Sequence, residues 1–482
     1  MKALFPLLIL VTSHLDAQSK HEIRQVPIVF THVAVIDTAA ASIDKDMMVM
    51  IAGDHIVHVA KASEAKVPRS ARMIDGRGKI LMPGLWDMHV HLFNQISRRP
   101  PKTWYFPLFV ANGVTGIREM WTKPENMPQV REWRRLQSES RLMAPRIGAV
   151  GTVVDGPAGT ETTNMDAALL GPNANVVSTQ EEARQFVREV KAADVDFVKT
   201  YSSLSREAYF AIANEAKKQG IPFAGHVPFA VDAAEASSAG QRSMEHLNQI
   251  LESSSSRSQE LLHVPGRDWS SKYDKLTLDT FDEGKFKNLV ATLVKNQSWQ
   301  VPTLVRNRVG AFRGETIIVE DKRLRYVPAD ELANWRKFFP PIEQDSEKPI
   351  RQRLWQKQLE VVRRMHEAGV PFLAGTDLGG DYIYPGFSLH DELALLVQAG
   401  FTPGEALKTA TYNPAMFLDI LDRLGTVEKG KLADLVLLDA NPLDDISNTQ
   451  KIRAVVLNGR YLDRTTLDKL LADEESVAVP RN

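Results

Sequence analysis

The sequence predicts an α/β fold, a (β/α)8 TIM-like barrel joined to a small β-sandwich built from both ends of the chain. Three observations predict it. The middle of the chain alternates strand-like and helix-like segments, the pattern of a parallel sheet. Eight strand candidates can be counted there, enough to close a barrel. The two ends lack that alternation and carry hairpin signals instead.

The bulk properties bound the function. The chain has 482 residues, 43% hydrophobic and 25% charged, which suits a globular protein with a sizeable core. Lys plus Arg is 59 and Asp plus Glu is 60, so the net charge is -1. That excludes a broad electrostatic footprint for nucleic acid or an anionic membrane. Cysteine is absent. Disulfides, thiolate zinc sites, iron–sulfur clusters and cysteine nucleophiles go with it, so any metal is held by nitrogen and oxygen. Residues 1–17 read as a signal peptide: Lys2 is the positive start, Ala3 to Val11 the apolar stretch, and Ala17 the cleavage position before Gln18. The protein is therefore expected to be exported, periplasmic or secreted. No later stretch approaches the ~18–20 apolar residues of a membrane span.

Residues 18–80 are expected to form the N-terminal part of the β domain. Ile28, Phe30, Val33 and Val35 alternate loosely, and Met47–Ile51 and Ile56–Val59 flank Gly53-Asp54 as a hairpin. Residues 423–482 supply the C-terminal part. Leu432–Asp439 reads as a strand, and Asn458-Gly459 between Val455–Leu457 and Arg460–Leu462 is a strong two-residue hairpin signal.

Residues 81–422 would form the barrel. Its strands are expected at Leu85–His91, Val114–Glu119, Arg146–Val150, Asp196–Tyr201, Pro222–Val227, Arg242–His246, Trp299–Val305 and Pro371–Asp377. Helix starts are marked by Ser178 with Glu181, by Ser388 with Asp391, and by Thr402, Pro403 and Glu405. A long, irregular, charged insertion over residues ~306–350 would follow the seventh strand at the C-terminal mouth, where lids and binding segments occur.

The histidines carry the chemistry. His89 and His91 are two apart on a strand, so period two puts both side chains on one face. Two imidazoles there pack poorly and ligate well. His226 ends the fifth strand, His246 the sixth and Asp377 the eighth, while Lys199 lies within the fourth. Residues at the C-terminal ends of barrel strands converge on one site. Lys199 in an apolar strand is either paired with Asp377 or has a depressed pKa. A neutral amine there could take up carbon dioxide and become an anionic ligand between two metals. Tyr201, Arg118, His390 and Tyr382 are candidates for substrate contact, each with a structural alternative.

Pro83-Gly84-Leu85-Trp86-Asp87-Met88-His89-Val90-His91 resembles the opening motif of the metal-dependent amidohydrolase superfamily. The order His-x-His, Lys, His, His, Asp is that of its binuclear branch. Asp196–Lys199, Ala224–His226, Glu245-His246, Ala374–Asp377 and Leu424–Leu435 are similar to the imidazolonepropionase-like members, which include prolidase-like and carboxypeptidase-like enzymes. Arg118-Glu119 departs from the usual Arg-Asp. The resemblance implies that His89, His91 and Asp377 bind one divalent metal, His226 and His246 a second, with carbamylated Lys199 bridging. Zinc is the default for such donors. It further implies hydrolysis of an amide or peptide bond in a small substrate, a dipeptide or N-acyl amino acid, by a metal-bridging hydroxide with Asp377 as proton shuttle. Alternatives on the same barrel are a lactone, ester or cyclic-amide hydrolase or a deaminase, and, in another class, a non-catalytic binding scaffold. A homo-oligomer is compatible with the sequence. The stretch Gly156–Thr163 and the ~306–350 insertion are where substrate choice would be made.

Overall fold

The computed structural model describes residues 26–64, 66–93, 102–157, 175–262, 271–338 and 346–478. The expected export segment at 1–17 and most of Gly156–Thr163 lie outside the described residues.

Sixteen strands are described and form two sheets. The first contains β1 (Ile28–Asp37), β2 (Ser42–Ala52), β3 (His55–Lys61), β4 (Arg72–Asp75) and β5 (Ile80–Pro83). The barrel strands are β6 (Leu85–Val90), β7 (Val114–Thr122), β8 (Arg146–Asp155), β10 (Phe197–Thr200), β11 (Phe223–Gly225), β12 (Ser243–Glu245) and β13 (Trp299–Val301). The short β9 (Asn175–Val176) pairs beside β8, and β14 (Leu435–Leu438), β15 (Ile452–Leu457) and β16 (Arg460–Asp463) return to the first sheet.

The barrel sheet is parallel, in the order β13-β12-β11-β10-β8-β7-β6. The expected eighth strand is the extended segment Phe372–Leu378. It joins β13 through the Gln300–Phe372 bridge and β6 through the Val90–Leu378 bridge. The Met88 N–H donates to Ala374 O at 3.0 Å, and the His91 N–H to Leu378 O at 2.8 Å. Inside the ring, Trp86, Met88, Val301, Leu373, Phe417 and Leu424 form one packed layer. Such layers make the barrel a core, not a pore. Helices Tyr105–Ala111, Met127–Ser138, Gln180–Ala192, Arg206–Gln219, Glu283–Lys295, Lys348–Glu367 and Phe387–Gln398 lie between successive strands or after the last.

Two helix starts differ from the sequence reading. The first capping box is Thr179 with Glu182, one residue later than expected. Helix Phe387–Gln398 begins after Gly386 at φ 75°, and Ser388 lies inside it, its Oγ accepting the Tyr384 N–H. The Thr402–Glu405 box is as expected. The insertion is not irregular. Its described part holds helices Leu304–Ala311, Thr316–Val319 and Ala329–Phe338 and a 3-10 turn at Lys322–Tyr326.

Both ends of the chain share one sheet, ordered β16-β15-β14-β5-β1-β2-β3, with β4 beside β1. Period two then divides its residues. Leu81, Leu435, Leu437, Ala454 and Val456 face the sheet's own core, while Ile80, Met82, Val436, Leu438, Val455 and Leu457 join the barrel's core. The sheet curls on itself. The Gly430 N–H donates to Ile56 O, Ile56 N–H to Lys431 O and Ala433 N–H to Asp54 O, tying the approach to β14 to the far edge strand. This bending of one sheet around an inner core takes the place of two separately stacked layers. The β15–β16 turn has φ 49° at Asn458 and 75° at Gly459, the left-handed pair of a tight hairpin. Beyond it, helix Arg464–Ala478 sends Leu467 into the barrel's core.

Candidate metal centre at the mouth of the barrel

Strand β6 slips register against β7 between Asp87 and Val90, where the two histidines stand. Such bulges re-aim side chains beside sites. His89 and His91 face each other with Nε2 atoms 3.1 Å apart. Asp377 Oδ1 lies 3.4 Å from His89 Nε2 and 3.5 Å from His91 Nε2. One ligand atom from each of the three residues falls within a 4.8 Å group. His246 packs on His89 at 4.6 Å between ring centroids, and His226 on His246 at 4.8 Å. The four imidazoles are thus contiguous, as the strand-end positions predict.

Three of the four rings are oriented from behind. His89 Nδ1 meets Glu245 Oε2 at 2.8 Å, His226 Nδ1 meets Ser202 Oγ at 2.7 Å, and His246 Nδ1 meets Thr303 Oγ1 at 2.8 Å. The burial of His89 holds its pKa well below the ordinary imidazole value. A neutral ring donating Nδ1–H to Glu245 leaves a lone pair on Nε2, aimed at His91 and Asp377. Burial also pulls His91 down to about 3, and His226 and His246 well below their usual range. Neutral imidazoles at neutral pH are what metal ligation requires.

Lys199 is fully buried on β10, and its Nζ has no hydrogen-bond partner among the described residues. Burial lowers its pKa to about 8. No hydrogen bond or close ion pair to Asp377 accompanies it. Gly225 on the neighbouring strand makes room: a Cβ there would sit 2.4 Å from Thr200 O and 2.6 Å from Lys199 Cδ, at φ 126°. His246 and Asp377 take φ 61° and 60°, and Thr303 takes 46°. Non-glycine residues in that region cost on the order of 1–3 kcal/mol each and gather at functional sites.

Of the four substrate-contact candidates, Tyr201 touches the cluster directly. Tyr201 stacks on His226 with centroids 4.2 Å apart. Tyr382 lies on the loop after Asp377, buried against Trp335 at 5.4 Å. Arg118 is no rim residue. Strand β7 continues to Thr122, so Arg118 lies in mid-strand, buried in the barrel. Its Nε donates to Met88 O at 2.6 Å, one terminal nitrogen to Ser243 Oγ at 2.9 Å, and the other to both Glu245 oxygens at 3.0 and 3.1 Å. Its reach ends on the carboxylate that orients His89. His390 is also structural. Its Nδ1 meets Thr449 Oγ1 at 2.9 Å and its Nε2 meets Asn112 O at 3.0 Å, tying the last barrel helix to the C-terminal segment.

Sequence reasoning passed over several residues that build the centre. Glu245, quoted only as a neighbour of His246, is the hinge between Arg118 and His89. Asp87 accepts the His89 N–H at 3.2 Å and the Thr376 N–H at 3.0 Å, so it fixes the ligand strands to each other. Glu119 accepts the Leu92 N–H at 2.6 Å and the Trp121 N–H at 2.8 Å. Arg306 stands 3.6 Å from Asp377 Oδ2. A carboxylate in a strand otherwise buried was the available signal for the three acids.

Comparison with known proteins agrees with this geometry. The Amidohydrolase family model matches residues 80–462, most of the chain. Imidazolonepropionases from Caldanaerobacter subterraneus and Fusobacterium nucleatum are 38% and 35% identical, over 87 and 83 residues. These stretches are 17% and 16% of this chain and 20% and 19% of those proteins, so the likeness reaches about a fifth of their length. Among solved structures, bottromycin amidohydrolase superposes with a TM-score of 0.72 at 24% identity, covering 93% of this chain and 90% of its own. A Xaa-Pro dipeptidase with bound methionine in the active site gives 0.64 at 21% identity, covering 91% of this chain and 100% of its own. Molinate hydrolase gives 0.66 at 20%, covering 95% and 98%. These structures share the fold. With the family model spanning barrel and sheet, the chain belongs to the amidohydrolase family.

Proposed function

We propose that this protein is a metal-dependent hydrolase that cleaves the amide or peptide bond of a small substrate such as a dipeptide or an N-acyl amino acid. The observation that carries the reading is the convergence of His89, His91, His226, His246, Asp377 and a buried Lys199, without a hydrogen-bond partner among the described residues, on one end of the barrel. The donor set fits a cation. His89 Nε2, His91 Nε2 and Asp377 Oδ1 are three acceptors turned toward one another at 3.1 to 3.5 Å. Lone pairs so placed repel until a positive charge is shared between them.

His89, His91 and Asp377 would hold one divalent ion and His226 and His246 a second, with Lys199 between them. Bound there, two such ions, zinc by the preference of these donors, supply a nucleophile at neutral pH and polarise the carbonyl oxygen. The chain's own groups do the rest. Glu245, Ser202 and Thr303 hold the rings in the ligating orientation. With its pKa near 8, the Lys199 amine has a substantial neutral fraction. That nitrogen adds to the carbon of carbon dioxide and loses a proton, giving a carbamate that turns a costly cation into an anionic ligand. Asp377 accepts a proton from the nucleophile and passes it to the leaving nitrogen. Tyr201 would line the acyl side of the pocket. We also read residues 1–17 as an export signal that brings the enzyme outside the cytoplasm.

The test is metal-loaded protein assayed on dipeptides, N-acyl amino acids and lactones, beside Asp377→Asn. About 10³-fold loss of amide turnover is expected in the variant. An Asp377→Asn enzyme that turns over normally removes the shuttle role. Hydrolysis of lactones with no amide cleaved would replace the leading reading with the ester one.

A further inference from the structure

We propose a second ligand site at the N-terminal end of the barrel, a cavity that takes a small aromatic carboxylate. It lies opposite the mouth and does not depend on which bond is cleaved there.

The strands explain why a cavity is there. Ala149 on β8, Phe197 on β10 and Ala224 on β11 pack together with Met120 in one small cluster. Phe197 is two residues before Lys199 and Ala224 two before His226, so this layer lies directly beneath the metal centre. Barrel layers are ordinarily filled by bulky branched side chains. Two alanines, with Gly148 beside them, leave this one short of volume. The result is a cavity of about 160 Å³. An apolar cavity of about 150 Å³ is enough to hold a benzene ring.

The lining selects the ligand. Phe197 and Phe417 supply aromatic walls, and Arg118 supplies a cationic face. The Arg118 nitrogens donate to Met88 O, Ser243 and Glu245. Its guanidinium carbon lies 5.8 Å from the centre of the Phe197 ring and 5.2 Å from that of Phe417. The guanidinium thus offers a face, not a hydrogen bond, and a face of that charge attracts an aromatic ring.

Arg242 supplies the second contact, at the opening. Its backbone is fixed between strands: the N–H donates to Phe223 O at 2.9 Å, and the carbonyl accepts the Trp299 N–H at 3.1 Å. Its guanidinium lies 4.6 Å from the centre of the Phe417 ring. One terminal nitrogen donates to Asp419 Oδ2 at 3.1 Å, and the two side chains are 35% and 79% exposed. An ion pair so exposed contributes little, so a ligand carboxylate displaces Asp419 at small cost. Asp196, the acid in the lining, is already engaged: its Oδ2 accepts from Arg134 at 2.7 Å and from the Val150 N–H at 2.8 Å. A ring held in the cavity therefore sets its carboxylate on Arg242, whose planar fork matches it with two N–H···O bonds. A neutral ring lacks the contact at the opening, and an aliphatic acid lacks the contact inside.

The experiment titrates benzoate into the metal-loaded full chain by calorimetry, beside benzamide and acetate. Benzoate is expected to bind with a Kd on the order of 0.1–1 mM, and the other two at least about tenfold more weakly. Arg242→Gln, a change at a partly exposed side chain, should weaken benzoate about tenfold and leave benzamide where it was, with Arg242→Lys recovering part of the loss. Benzamide or acetate binding as tightly as benzoate overturns the proposal. So does benzoate binding that Arg242→Gln leaves unchanged, the result expected if benzoate sat on the metal ions instead. No benzoate binding at all removes the site. The three titrations of the native protein decide without any variant.

Discussion

Among the described residues two lysines are fully buried, and they answer the cost of burial in opposite ways. Lys102, between the first barrel strand and its helix, pairs with Glu331 of the insertion at 3.1 Å. Lys199, within the ring, has no hydrogen-bond partner for its Nζ among the described residues, and the amine lies 5.7 Å from the centre of the Tyr201 ring. An ammonium group out of water must be paired or lose its charge. The first solution is electrostatic and fastens the helix Ala329–Phe338 over the mouth. The second leaves a reactive amine beside four imidazoles. The difference teaches that a buried lysine with no hydrogen-bond partner marks chemistry more reliably than one held in an ion pair.

The largest effect that would break this comparison is expected at Lys199. Lys199→Met should lower amide turnover by about 10²–10³-fold or more and reduce bound metal, as measured by elemental analysis. It should leave thermal stability equal or raised, because the change removes an uncompensated polar group. A large loss of stability in calorimetry would mean that Lys199 is a structural cation after all. At Lys102 the order of effects reverses. Lys102→Met strands Glu331 without its partner and should cost about 3–5 kcal/mol. The double variant Lys102→Met, Glu331→Leu should recover much of this, and chemical denaturation of the set gives the coupling.

His390 sharpens the contrast from the side of neutral burial. Its folded pKa is held down at about 4 by burial, against an ordinary 6.5. Between those values the unfolded chain binds the extra proton, so stability is complete above about pH 6.5 and falls as the pH drops toward 4. The stability lost is on the order of 3 kcal/mol. Comparing the native protein with His390→Gln in denaturant at pH 7 and pH 4.5 should show less acid sensitivity in the variant. An unchanged acid limb would assign it to other groups.

The strand-end residues were legible because two simple periodicities suffice: alternation along a strand, and convergence of strand ends in a barrel. Both place His89, His91, His226, His246 and Asp377 together without knowledge of any contact. Arg118 forms the ion pair that was its structural alternative, and β7 runs three residues past its expected end, which moves the guanidinium from rim to interior. The start of the helix that carries His390 was misplaced because Ser388 has the composition of a cap, while Gly386, at positive φ, is where the helix turns in. Arg306 was hidden inside a charged stretch. Only the left-handed Thr303 converts the end of a strand into the start of a helix there, and such a conformation in a threonine has no signature in composition. Glu245, Ser202 and Thr303 act by touching a ligand from behind, across strands that sequence order keeps apart.

The curled sheet has a consequence for how the molecule is made. Strand β14 is inserted between β5 and β15, and the segment before it clasps β3, so the earliest and latest strands of the chain complete one another. Because β5 runs through Gly84 into β6, the strand bearing His89 hangs from a sheet that is unfinished until the C-terminal strands have been synthesised. Pairings this distant in sequence close slowly. The nascent chain therefore carries its ligands for most of its synthesis before it has the frame that brings them together. A protein assembled in that order brings its strand-end histidines and Asp377 together late, as one of the last events of its folding.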